Sequence, residues 1–133
     1  MISKRDFQSA KQVMRKKMVF IDGMATAKEA VELMRKENVQ ALIVKKRNEL
    51  DAYGIVIVHD LINGVIIPEK TSEEVNVFEI MTKPAIWVPS NMDIHYVARL
   101  LMKIGIREAP VEENGELIGM ISLSDIILDN ILF

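Results

Sequence analysis

A short run of residues in the last quarter of the chain has types and spacing that suit ligand binding. Gly119-Met-Ile-Ser122-Leu-Ser124-Asp125 lies where a strand pattern changes into a helix pattern. Ser122 and Asp125 have the spacing of a capping box, in which the hydroxyl and the carboxylate start a helix. Hydroxyls and free N–H groups at a helix start can also hold phosphate oxygens, and a carboxylate can accept both hydroxyls of a ribose. The run is therefore either a helix cap alone or part of a nucleotide site.

A less complete version of this run lies 65 residues earlier. Gly54 and Asp60 keep the glycine and the carboxylate, but Ile57 replaces the first hydroxyl and His59 the second. Fewer polar groups remain to meet a sugar or a phosphate. We expect a site built on this version to be weak, empty or altered in specificity.

Both runs belong to an internal repeat. A shift of 67 residues places Met14-Arg15-Lys16 on Met81-Thr82-Lys83 and Val44 on Val111, and after the middle hairpin the shift falls to 65 residues. A period this long in a chain of 133 residues indicates two copies of one supersecondary unit.

The spacing of apolar residues in each copy predicts the order β-α-β-β-α of strands and helices. For the first copy we expect strands at Met18–Ile21, Ala41–Lys46 and Tyr53–Val58, a helix capped by Thr26 and Glu29, and a helix at His59–Ile67. For the second we expect strands at Ala85–Val88, Glu108–Glu112 and Glu116–Ser122, a tight turn at Asn114-Gly115, a helix capped by Asp93, and a helix at Leu123–Leu132. The polar bridge IPEKTSEE and a short helix around Val75–Met81 connect the copies.

This alternation predicts an α/β (α+β) fold. We divide the sequence into a first repeat with an N-terminal helix, residues 1–67, and a linker with the second repeat, residues 68–133. One copy alone can hardly bury both faces of so small a sheet. We therefore expect the copies to pack sheet to sheet about a pseudo-twofold axis as one module.

Composition narrows the function classes. A net charge of −2 gives no reason to expect a nucleic-acid partner, and zero cysteines exclude disulfides and thiol catalysis. No apolar run approaches the ~20 residues that cross a bilayer, and the N-terminus has no apolar signal region, so we expect a cytoplasmic protein. The two histidines, His59 and His95, have no metal-ligand spacing, and we expect no metal site.

The repeats resemble a pair of cystathionine β-synthase-type (CBS) domains, called a Bateman module. Each copy ends in G-h-h-x-x-x-D, where h is apolar, and Gly119–Asp125 matches the family's fuller ligand motif G-h-h-[ST]-x-[ST]-D. The resemblance covers about residues 13–131. It implies regulatory binding of AMP, ADP or ATP, less often S-adenosylmethionine or NAD, in clefts between the repeats, with no cofactor required.

The resemblance implies a main cleft and a weaker one. In the main cleft Asp125 binds the ribose, Ser122 and Ser124 lie near ribose or phosphate, and basic residues meet the phosphates. Its residues are Arg15, Lys16, Val19, Phe20, Val39, Gln40, Ala41, Arg107, Ser122, Ser124 and Asp125. The weaker cleft takes Thr82, Ile86, Ile106, Ala109, His59 and Asp60, and Trp87 occupies a position where a smaller residue leaves room for adenine.

We expect a sensor that binds nucleotide and signals to an effector protein. The alternative is a structural homodimerisation module with vestigial clefts. A small enzyme is the third possibility, since Ser122, His59 and Asp60 supply triad residue types, but nothing resembles a nucleophile elbow and we expect no catalysis. The last helix is apolar nearly all round, at Leu123, Ile126, Ile127, Leu128, Ile131, Leu132 and Phe133, so we expect a homodimer that covers it.

Overall fold

The computed structural model describes residues 7–129, which form two compact units. The first-repeat unit consists of residues 19–85, and the second-repeat unit consists of residues 7–18 with residues 86–129. Each unit contains a three-stranded sheet and helices, so the predicted mixed α/β class is confirmed.

The helices and strands follow the predicted order, with the first four strands shorter than predicted and the last strand as predicted. In chain order they are α1 (Ala10–Val13), β1 (Phe20–Ile21), α2 (Ala27–Glu37), β2 (Ala41–Val44), β3 (Gly54–Ile57), α3 (Val58–Leu61), a π-helical turn (Ile62–Ile66), α4 (Val77–Ile80), β4 (Val88–Pro89), α5 (Ile94–Ile104), β5 (Glu108–Glu113), β6 (Glu116–Ser122) and α6 (Leu123–Leu128). The helix expected at Leu123–Leu132 is thus seen to Leu128, and residues 130–133 lie outside the described part of the chain.

The two sheets have the same topology. In the first-repeat unit β2 is central, parallel to β1 and antiparallel to β3, with Ala41 opposite Ile57. In the second-repeat unit β5 is central, parallel to β4 and antiparallel to β6, with Glu108 opposite Ser122. The start of each central strand therefore lies beside the end of the last strand, three residues before the aspartate of the motif.

The short helices α1 and α4 each pack in the unit of the other repeat, and not with the repeat that follows them in the sequence. α1 lies in the second-repeat unit, where the Ala10 N–H donates to the Met92 carbonyl at 2.8 Å. α4 lies in the first-repeat unit, where the Val77 N–H donates to the Ala25 carbonyl at 2.8 Å. The sequence division at residue 67 stays a prediction about the repeats along the chain.

The predicted caps and turn are confirmed. Thr26 and Glu29 form a capping box at the start of α2, and Asp93 accepts from the His95 N–H at the start of α5. Asn114 and Gly115 connect β5 to β6 with φ of 52° and 83°. Positive φ at both central residues is what a two-residue hairpin turn with matching twist requires.

The helix predicted at His59–Ile67 is found as two consecutive segments. α3 ends at Leu61, and a π-helical turn follows at Ile62–Ile66. Its wider winding is seen in the N–H of Ile67, which donates to the carbonyl of Ile62 five residues back at 2.9 Å. Gly64 in this turn lies against Ile80 of α4 so closely that a Cβ would overlap the isoleucine side chain.

A separate apolar core supports each sheet. In the first-repeat unit the core packs α2 on β2 and β3, and includes the fully buried Leu42 and Val56. In the second-repeat unit the core packs α1 and α5 on β4, β5 and β6, and includes the fully buried Leu101 and Ile121. These cores fix the strand ends from which the polar motifs project.

Candidate functional site

The carboxylate of the second repeat is buried at the junction of β6 and α6. Asp125 is 3% exposed, and its Oδ2 accepts from the Ser122 N–H at 3.1 Å. In return the Asp125 N–H donates to the Ser122 Oγ at 3.0 Å. The capping box expected from the S-x-x-D spacing is therefore present, and one carboxylate oxygen of Asp125 is already in use.

Arg15 occupies the other oxygen of this carboxylate. Its Nε lies 2.7 Å from the Asp125 Oδ1, and the arginine side chain is 68% exposed. The ion pair thus joins a largely exposed guanidinium to an almost fully buried carboxylate. Both oxygens of Asp125 have partners, so the carboxylate predicted to bind a ribose is already bound by protein groups.

Gly119 explains how Arg15 reaches this position. Arg15 and Met120 exchange two backbone hydrogen bonds, of 2.8 Å from the Arg15 N–H and 2.9 Å from the Met120 N–H. A Cβ on Gly119 would lie 2.5 Å from the Arg15 carbonyl oxygen and 2.6 Å from the Met14 Sδ. Only a glycine at this point of β6 lets the segment after α1 come so close.

Glu108 is a third charged group at this position, and it lies outside the residues predicted for either cleft. It begins β5 opposite Ser122. Burial raises the pKa of the Glu108 carboxyl, the negative charge of Asp125 raises it further, and the positive charge of Arg15 opposes both. The Asn114-Gly115 turn alone could not have placed Glu108 here, because the register at Glu112 and Leu117 shifts by one residue at a β-bulge after Val111.

The remaining predicted polar residues of the second-repeat unit lie around the same junction. The Arg107 carbonyl accepts from the Leu123 N–H at 2.9 Å, while the Arg107 side chain is exposed. Ser124 and Lys16 are also exposed. Because the N–H groups of Leu123 and Asp125 are used within the protein, the start of α6 offers fewer free donors to a phosphate than the sequence suggested.

The first-repeat unit has the same arrangement without the cation. Oδ2 of Asp60 accepts from the Ile57 N–H at 2.8 Å, but Ile57 has no hydroxyl to complete a capping box. Thr82 exchanges two backbone hydrogen bonds of 2.9 Å with Ile55, as Arg15 does with Met120. Thr82 therefore stands in the place of Arg15.

Asp60 differs from Asp125 in its surroundings. It is half-buried, and within residues 7–129 no lysine or arginine pairs with it. Burial raises the pKa of the Asp60 carboxyl, while the Ile57 N–H and the charge of the exposed His59 oppose the rise. One of its two oxygens has no partner among the described residues.

Comparison with known proteins identifies these repeats. The family model described as "CBS domain" matches twice, over residues 10–66 and residues 77–129. The chain belongs to the CBS domain family. CBS domain pairs are generally regulatory, ligand-binding modules rather than catalytic ones.

Known CBS proteins resemble the chain over most of its length. A hexameric CBS-CP12 protein from bloom-forming cyanobacteria is 38% identical, with a TM-score of 0.89, over 94% of this chain and 72% of that one. An uncharacterised protein of Methanopyrus kandleri is 29% identical over 90% of this chain and 61% of its own length. The mitochondrial CBS domain-containing protein CBSX3 of Arabidopsis thaliana is 31% identical over 77% of this chain and 51% of its own. The chain thus spans about half to three fifths of these curated relatives.

The CBS topology places the other predicted residues at matching strand ends. In the first-repeat unit the start of β1, the start of β2 and the end of β3 share one edge of the sheet, which gathers Val19, Phe20, Val39, Gln40, Ala41, His59 and Asp60. In the second-repeat unit the same edge gathers Ile86, Ile106, Arg107, Ala109, Ser122, Ser124 and Asp125. The two predicted clefts each combine residues of both units, and these combinations stay predictions.

Residues 7–129 contain neither a membrane-spanning helix nor a group of metal-ligating side chains. None of the helices found between residues 7 and 129 has the length and hydropathy that a membrane span requires. In that same part of the chain no three histidine, aspartate or glutamate side chains are grouped as metal ligands.

Proposed function

We propose that this CBS pair is a regulatory module that binds an adenine nucleotide (AMP, ADP or ATP) through the carboxylates of Asp125 and Asp60. One observation carries the proposal: each repeat holds an aspartate at the same strand–helix junction, three residues after the end of the last strand of its sheet. A carboxylate held there accepts two hydroxyls, which matches the 2′ and 3′ hydroxyls of a ribose.

The base of a nucleotide has suitable partners in the first-repeat unit, and the phosphates have suitable partners in the second-repeat unit. Apolar side chains such as Val19 and Val39 suit the faces of a purine, and the exposed cations Lys16 and Arg107 suit a phosphate tail. Nucleotide binding regulates an effector protein only if the ligand binds one state of the module better than another. The effector protein would therefore bind the nucleotide-bound module and the nucleotide-free module with different affinities.

Thermal unfolding with a ligand panel tests the proposal. The full chain is heated with AMP, ADP, ATP, NAD or S-adenosylmethionine, and a ligand at a hundred times its Kd stabilises the folded state by about 2.7 kcal/mol. We expect a shift with one or more adenine nucleotides and a smaller shift in Asp125→Asn. The absence of any shift at millimolar ligand would contradict nucleotide binding.

A second candidate function is homo-oligomerisation, and it follows from exposed apolar surface. In the first-repeat unit an apolar groove of about 360 Å³ lies between α2 and the π-helical turn, where Ile62 is 44% and Ile66 63% exposed. On α6 of the second-repeat unit Leu128 is 77% exposed. The hexameric state of the cyanobacterial relative favours a self-association role for such faces.

Light scattering separates this function from the first. If copies of the chain associate through these faces, Ile66→Lys and Leu128→Lys lower the molar mass of the full chain in solution. Leu50→Lys is the matched control, because Leu50 is 99% exposed on the loop between β2 and β3. An unchanged mass in all three variants would refute association through the helical faces.

A further inference from the structure

We propose that Arg15 determines ligand specificity, because its ion pair with Asp125 keeps the carboxylate closed to nucleosides that carry no phosphate. The inference rests on the proposed nucleotide binding and adds a ligand class to it. The second repeat then selects phosphorylated nucleosides and rejects adenosine and the cationic S-adenosylmethionine.

The first step is that Asp125 cannot receive a ribose while Arg15 is in place. Oδ1 is bound to the Arg15 Nε at 2.7 Å and Oδ2 to the Ser122 N–H at 3.1 Å. Since Asp125 is 3% exposed, a sugar has no open approach to the remaining lone pairs. The guanidinium is the exposed partner, so it is the group that has to move.

The second step is that Arg15 can move without disturbing the fold. Its backbone is fixed by the two hydrogen bonds to Met120, whereas 68% of its side chain is exposed. Rotation of the side chain releases Oδ1 and leaves the strand contact intact. The backbone of Arg15 thus stays in place while its guanidinium leaves Asp125.

A ligand that binds Asp125 has to replace the ion pair between Arg15 and Asp125. When Arg15 leaves, the buried Asp125 loses its counter-charge, and the nearby carboxyl of Glu108 adds repulsion. Ribose hydroxyls restore hydrogen bonds to Asp125 but give the guanidinium nothing. A phosphate gives Arg15 a new anionic partner, so a nucleotide replaces both halves of the ion pair and a nucleoside replaces only one.

The first-repeat unit provides an internal comparison. Thr82 holds the backbone position that corresponds to Arg15, and Asp60 has no cation partner among the described residues. A ribose reaches Asp60 without displacing an ion pair. The same chain therefore contains one carboxylate that requires phosphate in its ligand and one that does not.

Calorimetric titration of the full chain with adenosine and with AMP tests the inference. Asp60→Asn isolates the Asp125 carboxylate, and Arg15→Thr is then added to give it the residue of the first repeat. We expect the added change to tighten adenosine and weaken AMP, so that the affinity ratio of AMP to adenosine falls about tenfold or more. In an Asp125→Asn background, Thr82→Arg is expected to weaken adenosine binding at Asp60.

The titrations distinguish a failure of the Arg15 inference from a failure of nucleotide binding. Weaker AMP with unchanged adenosine in Arg15→Thr makes Arg15 a simple phosphate contact and overturns the specificity inference, while nucleotide binding stands. Absence of AMP and adenosine binding in every variant overturns both proposals. Circular dichroism shows whether Arg15→Thr is folded, and the Thr82→Arg variant decides the matter independently if it is not.

Discussion

Gly119 lies so close to Arg15 that a Cβ on the glycine would come within 2.5 Å of the arginine carbonyl oxygen. The contact joins the segment after α1 to β6 and places the Arg15 side chain at Asp125. In the first repeat the corresponding Cβ on Gly54 would lie 2.8 Å from the flexible Met81 Sδ and 3.3 Å from the Thr82 carbonyl oxygen. The same glycine of the motif is therefore more tightly constrained in the second repeat.

Gly119→Ala is predicted to destabilise the protein by about 1–3 kcal/mol, because a backbone oxygen has to move away from the new methyl group. Gly54→Ala is the matched control and costs less, since its nearest neighbour is the end of a methionine side chain. Urea unfolding of both variants measures the difference. Equal losses would show that the close approach of Arg15 is not the cause.

Ser122→Ala is predicted to lower the free energy of unfolding by about 1 kcal/mol, because the Asp125 N–H loses its side-chain acceptor at the start of α6. Ser124→Ala removes an exposed hydroxyl two residues further along and is expected to stay within about 0.5 kcal/mol of wild type. Chemical denaturation gives both values. A larger effect at Ser124 than at Ser122 would contradict the capping assignment.

Asp51 is predicted to contribute stability that disappears in acid. Its carboxylate is 7% exposed and pairs with the Arg47 Nε at 3.0 Å and the Lys83 Nζ at 2.7 Å. The hydrogen bond from Arg47, followed by that from Lys83, lowers the pKa of the Asp51 carboxyl. A carboxyl with a lowered folded-state pKa stabilises above its unfolded pKa of about 3.9 and loses the contribution as the pH falls further.

Asp51→Asn is therefore expected to lower the urea midpoint at pH 7, with a difference from wild type that narrows below about pH 4. Glu49→Gln removes an exposed acid from the same loop and serves as the control. Midpoints measured at pH 7, 5 and 3 test this. A difference that persists unchanged at pH 3 would mean that the ion pairs are not its source.

Glu108 is predicted to have the opposite pH dependence. Its folded-state pKa is raised, mainly by burial, so its charged form destabilises the fold at neutral pH and protonation relieves this as the pH falls. Glu108→Gln is expected to raise the urea midpoint at pH 7, with no gain well below the unfolded pKa of about 4.3. A loss of stability at pH 7 would instead point to an attractive role beside Arg15.

Local patterns in the sequence were sufficient for most of the fold. The caps at Thr26 and Ser122, the Asn114-Gly115 turn and the strand at Glu116–Ser122 depend on residues a few positions apart, and each is found as predicted. The spacing of apolar residues predicted the order of helices and strands, because the buried face of a helix repeats every three or four residues and that of a strand every two.

Long-range contacts could not be predicted in this way. The pairing of Arg15 with Met120 joins residues far apart in the chain, and the π-helical turn at Ile62–Ile66 accompanies close packing of Gly64 on Ile80 of α4. The same limit applies to the site. The spacing identified Asp125 and Asp60, and the repeat aligned Arg15 with Thr82, but only the packing shows that Arg15 forms an ion pair with Asp125.

The most direct test of the proposed function is calorimetric titration of ATP, ADP and AMP into the wild-type chain and into the double variant Asp60→Asn, Asp125→Asn. Asparagine keeps an oxygen that can accept the N–H of Ile57 or Ser122, so the strand–helix junctions are expected to stay folded. We predict saturable binding of at least one nucleotide to wild type and its loss in the folded double variant. Equal affinity in the two proteins would show that these carboxylates do not bind the ribose.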